Sequence, residues 1–138
     1  MRISDRVKAM QNSPIRKFNG VADAAKAEGV KIYHLNIGQP DIETPSVFWE
    51  AVKGFDQKVL AYAGSWGLPE LQDAIVEYFK RFDMNLERND VLVTSGGSEA
   101  LTLVFLSCIN PGDEVLVPEP YYTNYLTFIQ AADGVIKP

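Results

Sequence analysis

The chain has 138 residues, of which 46% are hydrophobic and 22% are charged, a composition typical of a globular domain. Its formal net charge of −5 argues against partners such as nucleic acid or an anionic membrane surface. With no apolar targeting segment, no apolar run of membrane-spanning length, one cysteine (Cys108) and one histidine (His34), the sequence predicts a cytoplasmic protein with neither a disulfide nor a metal site.

The first half of the chain alternates helical patterns with loops. Ser13 and Pro14 predict the start of a helix that ends at Gly29. The short stretch KIYHLNI that follows is predicted to have an extended backbone. After the loop GQPDIETP, Ser46 is expected to cap a helix that ends near Gln57. The apolar residues of that helix are expected to point inward: Val47, Phe48, Ala51, Val52 and Phe55.

A further helix is predicted from Pro69, after the loop AYAGSWG. Its apolar residues recur at helical spacing, with acids early and Lys80 and Arg81 late, as the helix dipole favours. The repeat comprises Leu71, Ile75, Tyr78, Phe79 and Phe82.

The second half predicts a βαβ unit. DVLVTSG and EVLVP read as strands buried on both faces, and SEALTLVFLSCI reads as the helix between them. The last stretch, GVIKP, reads as another strand that leaves a sheet edge exposed. We therefore predict an α/β fold with a mostly parallel sheet, in which ligands bind beyond the carboxyl ends of the strands.

Gly96 and Gly97 lie where the first of these strands turns into its helix. The first backbone N–H groups of a helix lack intrahelical partners, so an anion can bind there, and glycine removes the Cβ atoms that would block its approach. Ser98 adds a hydroxyl donor. A tight turn without a ligand explains the two glycines equally well.

Ser98 also has a second interpretation. The stretch GGSEA is close to the nucleophile elbow of α/β-hydrolases, which would make Ser98 the nucleophile of a serine esterase. That chemistry needs a base, and the single histidine, His34, lies upstream of the serine rather than after it.

Tyr121 and Tyr122 follow the second strand and are expected on the same edge of the sheet as the glycines. Such tyrosines are often only packing residues. An aromatic ring beside an anion site nevertheless suits a flat phosphorylated ligand.

Four motifs in order give the chain a resemblance to the N-terminal third of class I/II aminotransferases, the fold-type I enzymes that use pyridoxal 5′-phosphate. They are LNIGQPDIETP, YAGSWGLPELQDAI, VLVTSGGSEAL and PGDEVLVPEPYYTNY. The resemblance implies an N-terminal helix, arm and part of a small domain in residues 1–45. It implies an incomplete N-terminal part of the large, cofactor-binding domain in residues 46–138.

The resemblance also implies site residues. Gly96, Gly97 and Ser98 match the loop that binds the cofactor phosphate, and Tyr122 matches the aromatic residue that stacks on the pyridine ring. Tyr62 matches a tyrosine that reaches the cofactor phosphate of the neighbouring subunit in a homodimer. Gly38 matches a glycine beside the carboxylate of the amino-acid substrate.

No catalytic residue is assigned, because the family's Schiff-base lysine belongs to a segment that would follow Pro138. None of the eight lysines present has that lysine's context. We expect a fragment of an amino-acid aminotransferase, acting on an amino acid and a 2-oxo acid in the full-length parent but inactive alone. The alternative is a truncated, non-catalytic remnant that acts as an interaction module.

Overall fold

The computed structural model describes residues 2–11 and 13–138 of the chain. Their backbone groups into two units, one formed by the chain up to Gln39 together with Gly96–Pro138, the other by Pro40–Ser95. We call them the first and the second unit. The division predicted at residues 45 and 46 concerns the domains of a whole subunit and stays a prediction.

The first unit begins with two short helices. Helix α1 spans Asp5–Ala9, and its N-cap residue Ser4 accepts a hydrogen bond from the backbone N–H of Val7. The helix predicted from Pro14 divides into a 3₁₀ turn, Pro14–Arg16, and helix α2, Asn19–Ala27. Gly29 follows with φ +83°, so the predicted glycine stop is confirmed.

A β-α-β unit forms the C-terminal part of the first unit. Helix α5 spans Gly97–Cys108 and is followed by strand β1, Glu114–Leu116, helix α6, Asn124–Ala131, and strand β2, Val135–Lys137. The two strands run parallel, with Val115 opposite Ile136. The predicted last strand is therefore confirmed.

The core of the first unit lies beneath helix α6. Ile129 of this helix is fully buried, and Ala132 and Val117 are also buried. The backbone at Gly134 passes close to the side chains of Ile109 and Ile129. A Cβ atom at residue 134 would lie 2.6 Å from Cδ1 of Ile109 and 3.0 Å from Cγ2 of Ile129, so the close approach requires glycine. Helix α6 packs against α5, α1 and β2.

The second unit contains helix α3, Ser46–Lys53, helix α4, Pro69–Phe79, and 3₁₀ turns at Lys80–Phe82 and Arg88–Asp90. Gln72 of α4 is buried, and its amide donates to the carbonyl oxygen of Val91 at 2.7 Å. The N–H of Val93 donates to the carbonyl oxygen of Trp66. Gly67 has φ +109°, and a Cβ atom there would lie 2.5 Å from the side chain of Val93.

The structure corrects the predicted strand DVLVTSG. Residues 91–94 take no part in a β-sheet within the described ranges. The parallel pair is therefore β1 with β2, and not residues 91–94 with β1 as predicted. Neither is β1 buried, since Leu116 is largely exposed. A strand needs a neighbour, and an apolar run does not say whether the neighbour is present.

The inward face predicted for the helix after Ser46 is also wrong. Helix α3 begins at Ser46 with Pro45 as its N-cap residue and ends at Lys53 rather than near Gln57. Its apolar side chains are exposed: Val47, Phe48, Ala51, Val52 and, beyond its end, Phe55. Periodicity correctly put apolar residues together but does not show what covers them.

None of the helices in residues 2–11 and 13–138 combines the length and the apolar character that crossing a membrane requires.

Candidate functional site

Helix α5 begins at the two glycines that the sequence singled out. Gly96 is its N-cap residue with φ +87°, a conformation that favours glycine, and Gly97 is its first helical residue. A Cβ atom built at either position would meet no protein atom within 4 Å. There is therefore open space where a side chain would begin at either glycine, and no contact within the described chain requires Gly97 to be a glycine.

Ser98 is the second residue of this helix and is exposed. Its carbonyl oxygen accepts a hydrogen bond from Oγ1 of Thr102 at 2.8 Å, one turn further along. His34 lines a cavity with residues that include Phe18 and Tyr33, and Ser98 is not among the lining residues. The structure thus gives no support to a Ser98–His34 nucleophile pair.

Tyr122 lies just before helix α6 in the same unit as the glycines. The residue is 49% exposed, and its ring lies perpendicular to the ring of Tyr125, with the centroids 5.7 Å apart. Its phenol oxygen accepts a hydrogen bond from the side-chain amide of Asn124 at 2.7 Å. The preceding Tyr121 instead lines a cavity of about 480 Å³ with Gln11, Glu119 and Thr123.

The two remaining predicted site residues lie in different units. Gly38 belongs to the first unit and is exposed, with open space where a Cβ atom would be. Tyr62 belongs to the second unit, and its side chain is fully exposed. The structure therefore brings Gly96, Gly97, Ser98, Tyr122 and Gly38 into one unit.

The shifted pKa values belong to ion pairs away from these residues. The hydrogen bond and the charge of Asp133 raise the pKa of Arg6, whose Nε donates to Oδ1 of that carboxylate at 2.8 Å. In the second unit, the hydrogen bonds from Arg88 lower the pKa of Asp73, and this carboxylate raises the pKa of Arg88. Both pairs lie on the surface.

The residues at the start of α5 fit a phosphate ester. Backbone N–H groups at a helix N-terminus are donors, and the 12 residues of α5 align enough peptide dipoles to favour an anion. No group of three or more histidine, cysteine, aspartate or glutamate residues in the described part of the chain is arranged to hold a metal. The exposed ring of Tyr122 adds a surface for a planar group.

Sequence reasoning missed two residues of this region, Asn124 and Tyr125. Both contact Tyr122, and both lie in the motif that identified it. The spacing of the two tyrosines, three residues apart at a helix start, was the available signal.

Comparison with known proteins gives concordant results. A solved structure of a Thermus thermophilus aspartate aminotransferase variant superposes with a TM-score of 0.88 at 36% identity, covering 99% of this chain and 37% of that one. An alanine aminotransferase from Pyrococcus furiosus superposes with a TM-score of 0.84 at 35% identity, covering 98% of this chain and 36% of that one. The fold is thus that of part of a fold-type I aminotransferase.

Sequence relatives agree with the structural neighbours. The asparagine–oxo-acid transaminase of Streptococcus mutans is 37% identical over 137 residues, which is 97% of this chain and 35% of the relative. The aspartate/prephenate aminotransferase of T. thermophilus is 35% identical over 136 residues, again 97% of this chain and 35% of the relative. The family of class I and II aminotransferases matches residues 30–138.

The chain belongs to the class I and II aminotransferase family. It spans about a third of the length of the curated relatives that it matches.

Proposed function

We propose that this chain forms the phosphate-binding and ring-stacking part of a pyridoxal 5′-phosphate-dependent aminotransferase that moves an amino group between an amino acid and a 2-oxo acid. The observation that carries the proposal is the open helix start at Gly96 and Gly97, inside a family motif. In such an enzyme the coenzyme supplies a ring that accepts the electrons released from the substrate's Cα–H bond.

Different residues of the chain would bind the phosphate, the pyridine ring and the substrate carboxylate. The first N–H groups of α5, at Gly97 and Ser98, would bind the phosphate together with the Ser98 hydroxyl. The ring of Tyr122 would hold the pyridine ring and so fix the plane of that ring relative to the substrate bond that must break. Gly38 would leave room for the substrate carboxylate.

Tyr62 would act in a homodimer by reaching the cofactor phosphate of the neighbouring subunit. Its fully exposed phenol supports this role, because the hydroxyl is accessible to a second chain. Tyr62→Phe in the protein that carries this sequence is expected to weaken cofactor retention while the dimer persists. Cofactor retention unchanged by the substitution would count against a shared site.

The 138 residues by themselves are proposed to be inactive, since none of their lysines matches the family's Schiff-base lysine. Mixing the purified chain with pyridoxal 5′-phosphate and reducing with borohydride tests this. We expect no stoichiometric label on a single lysine. One lysine labelled to completion would contradict the assignment.

A non-catalytic interaction module remains a second candidate, and the exposed apolar side chains of helix α3 favour it. Cofactor binding distinguishes the two. An interaction module has no need of the open helix start, so its partner binding should be unaffected when Gly97 is replaced by valine.

A further inference from the structure

Two neighbours fix the side chain of Tyr122 within a single turn. The carbonyl oxygen of Tyr122 accepts the N–H of Tyr125 at 2.9 Å, which brings these residues together. Asn124 then donates to the phenol oxygen at 2.7 Å, and the Tyr125 ring meets the Tyr122 ring at an interplanar angle of 89°. One contact holds the oxygen and the other holds the ring.

The perpendicular contact leaves a face of Tyr122 open. Two rings at right angles share one edge-to-face contact, so Tyr125 covers at most one face of Tyr122. Tyr122 as a whole is 49% exposed, in agreement with a free face. The hydrogen bond to Asn124 lies at the tip of the ring and covers neither face.

The helix that carries these neighbours is well anchored. Asn124 is the first residue of α6, and Ile129 near its other end is fully buried. Beyond the helix, the carboxylate of Asp133 accepts hydrogen bonds from Arg6. Asn124 and Tyr125 are therefore held by a rigid element rather than by a loose loop.

We propose that Asn124 and Tyr125 are positioning residues that hold the Tyr122 ring in its stacking orientation before the cofactor binds. This inference rests on the proposed function, because it assumes that Tyr122 stacks on the pyridine ring. A side chain that is already held loses less rotational freedom on binding. Releasing the ring is expected to raise the dissociation constant of pyridoxal 5′-phosphate about 2- to 12-fold.

The first experiment compares Asn124→Ala, Tyr122→Phe and the double variant in the protein that carries this sequence. The readouts are the dissociation constant of pyridoxal 5′-phosphate and the circular dichroism of the bound coenzyme in its own absorption band. We expect each single variant to weaken binding and reduce the band. The double variant should lose no more affinity for the coenzyme than the single variant with the larger loss. The reason is that both substitutions remove the same hydrogen bond.

Asn110→Ala is the matched control, because Asn110 is an exposed asparagine whose amide donates to Asp113 in a different turn. It should leave the affinity and the dichroism unchanged. At residue 125, phenylalanine keeps the ring contact and leucine removes it, so only Tyr125→Leu should weaken binding.

Two contrary outcomes refute the positioning role, and a third refutes the stacking itself. If Tyr122→Ala weakens binding but neither Asn124→Ala nor Tyr125→Leu does, the positioning role is wrong and stacking stands. Fully additive effects of Asn124→Ala and Tyr122→Phe would also refute the role of Asn124, since it would then act elsewhere. If Tyr122→Ala leaves the affinity unchanged, the stacking in the proposed function itself fails.

Discussion

Replacing Gly97 by valine separates the folding of helix α5 from the binding of a ligand at its start. Gly97 does not have a positive φ, and a Cβ atom there meets no protein atom within 4 Å. Valine at the first position of the helix should therefore change the free energy of unfolding by no more than about 0.5 kcal/mol. Any large effect must come from what approaches the helix from outside.

The magnitude of the binding loss follows from the hydrogen bonds at stake. A hydrogen bond to a charged acceptor contributes about 1.5–3 kcal/mol. If the valine side chain displaces the phosphate from one backbone N–H, the dissociation constant of the cofactor should rise about 10- to 150-fold. Alanine, with a smaller side chain, should give an intermediate loss.

Equilibrium dialysis with pyridoxal 5′-phosphate and urea unfolding of the cofactor-free protein measure the two quantities. Gly20→Val is the matched control, because Gly20 also lies at the start of a helix, α2, with nothing within 4 Å of its added Cβ. It should leave the affinity unchanged. If Gly97→Val binds the cofactor as tightly as the unsubstituted protein does, the phosphate assignment is refuted. If the cofactor-free Gly97→Val protein is strongly destabilised, the open geometry at Gly97 is refuted.

Three further predictions concern stability. Gly134→Ala should lower the free energy of unfolding by about 1–3 kcal/mol in urea titrations, because its Cβ would lie 2.6 Å from Ile109; an unchanged midpoint would contradict that packing. Gly67→Ala should be similarly destabilising, because its Cβ meets Val93 at 2.5 Å in a backbone with φ +109°, whereas Gly20→Ala should not be. Arg88 lowers the pKa of Asp73, so the stability that this pair adds is present above the ordinary pKa of an aspartate and is lost as the pH falls through the lowered value. In Arg88→Met the pKa of Asp73, followed by carbon NMR, should rise, and no change would refute the pairing.

Local signals in the sequence predicted much of the fold. The start of α4 at Pro69, helix α5 to within one residue at each end, the glycine stop at residue 29 and the last strand are confirmed. Each depends on residues close together in the chain, such as proline at a first turn or glycine after a last one.

The errors concern partners that lie far away in the sequence. The run at residues 91–94 has the composition of a buried strand, but its side chains report only their own apolar character and not a neighbouring strand. Phe48 and Val52 recur at helical spacing in the same way, yet both are about half exposed. Pairing and covering are tertiary properties that a local pattern does not contain.

The candidate site divides similarly. Gly96 and Gly97 were identifiable because a missing side chain between two apolar segments is visible in the sequence. The contacts of Asn124 and Tyr125 with Tyr122 depend on how one turn closes, and only the structure shows that closure.

A crystal structure of the protein that carries this sequence, bound to pyridoxal 5′-phosphate, would show whether the start of α5 binds the cofactor phosphate. We expect phosphate oxygens within about 2.7–3.2 Å of the backbone nitrogens of Gly97 and Ser98, with the pyridine ring against Tyr122. A phosphate held elsewhere, with the start of α5 facing only solvent, would contradict this expectation.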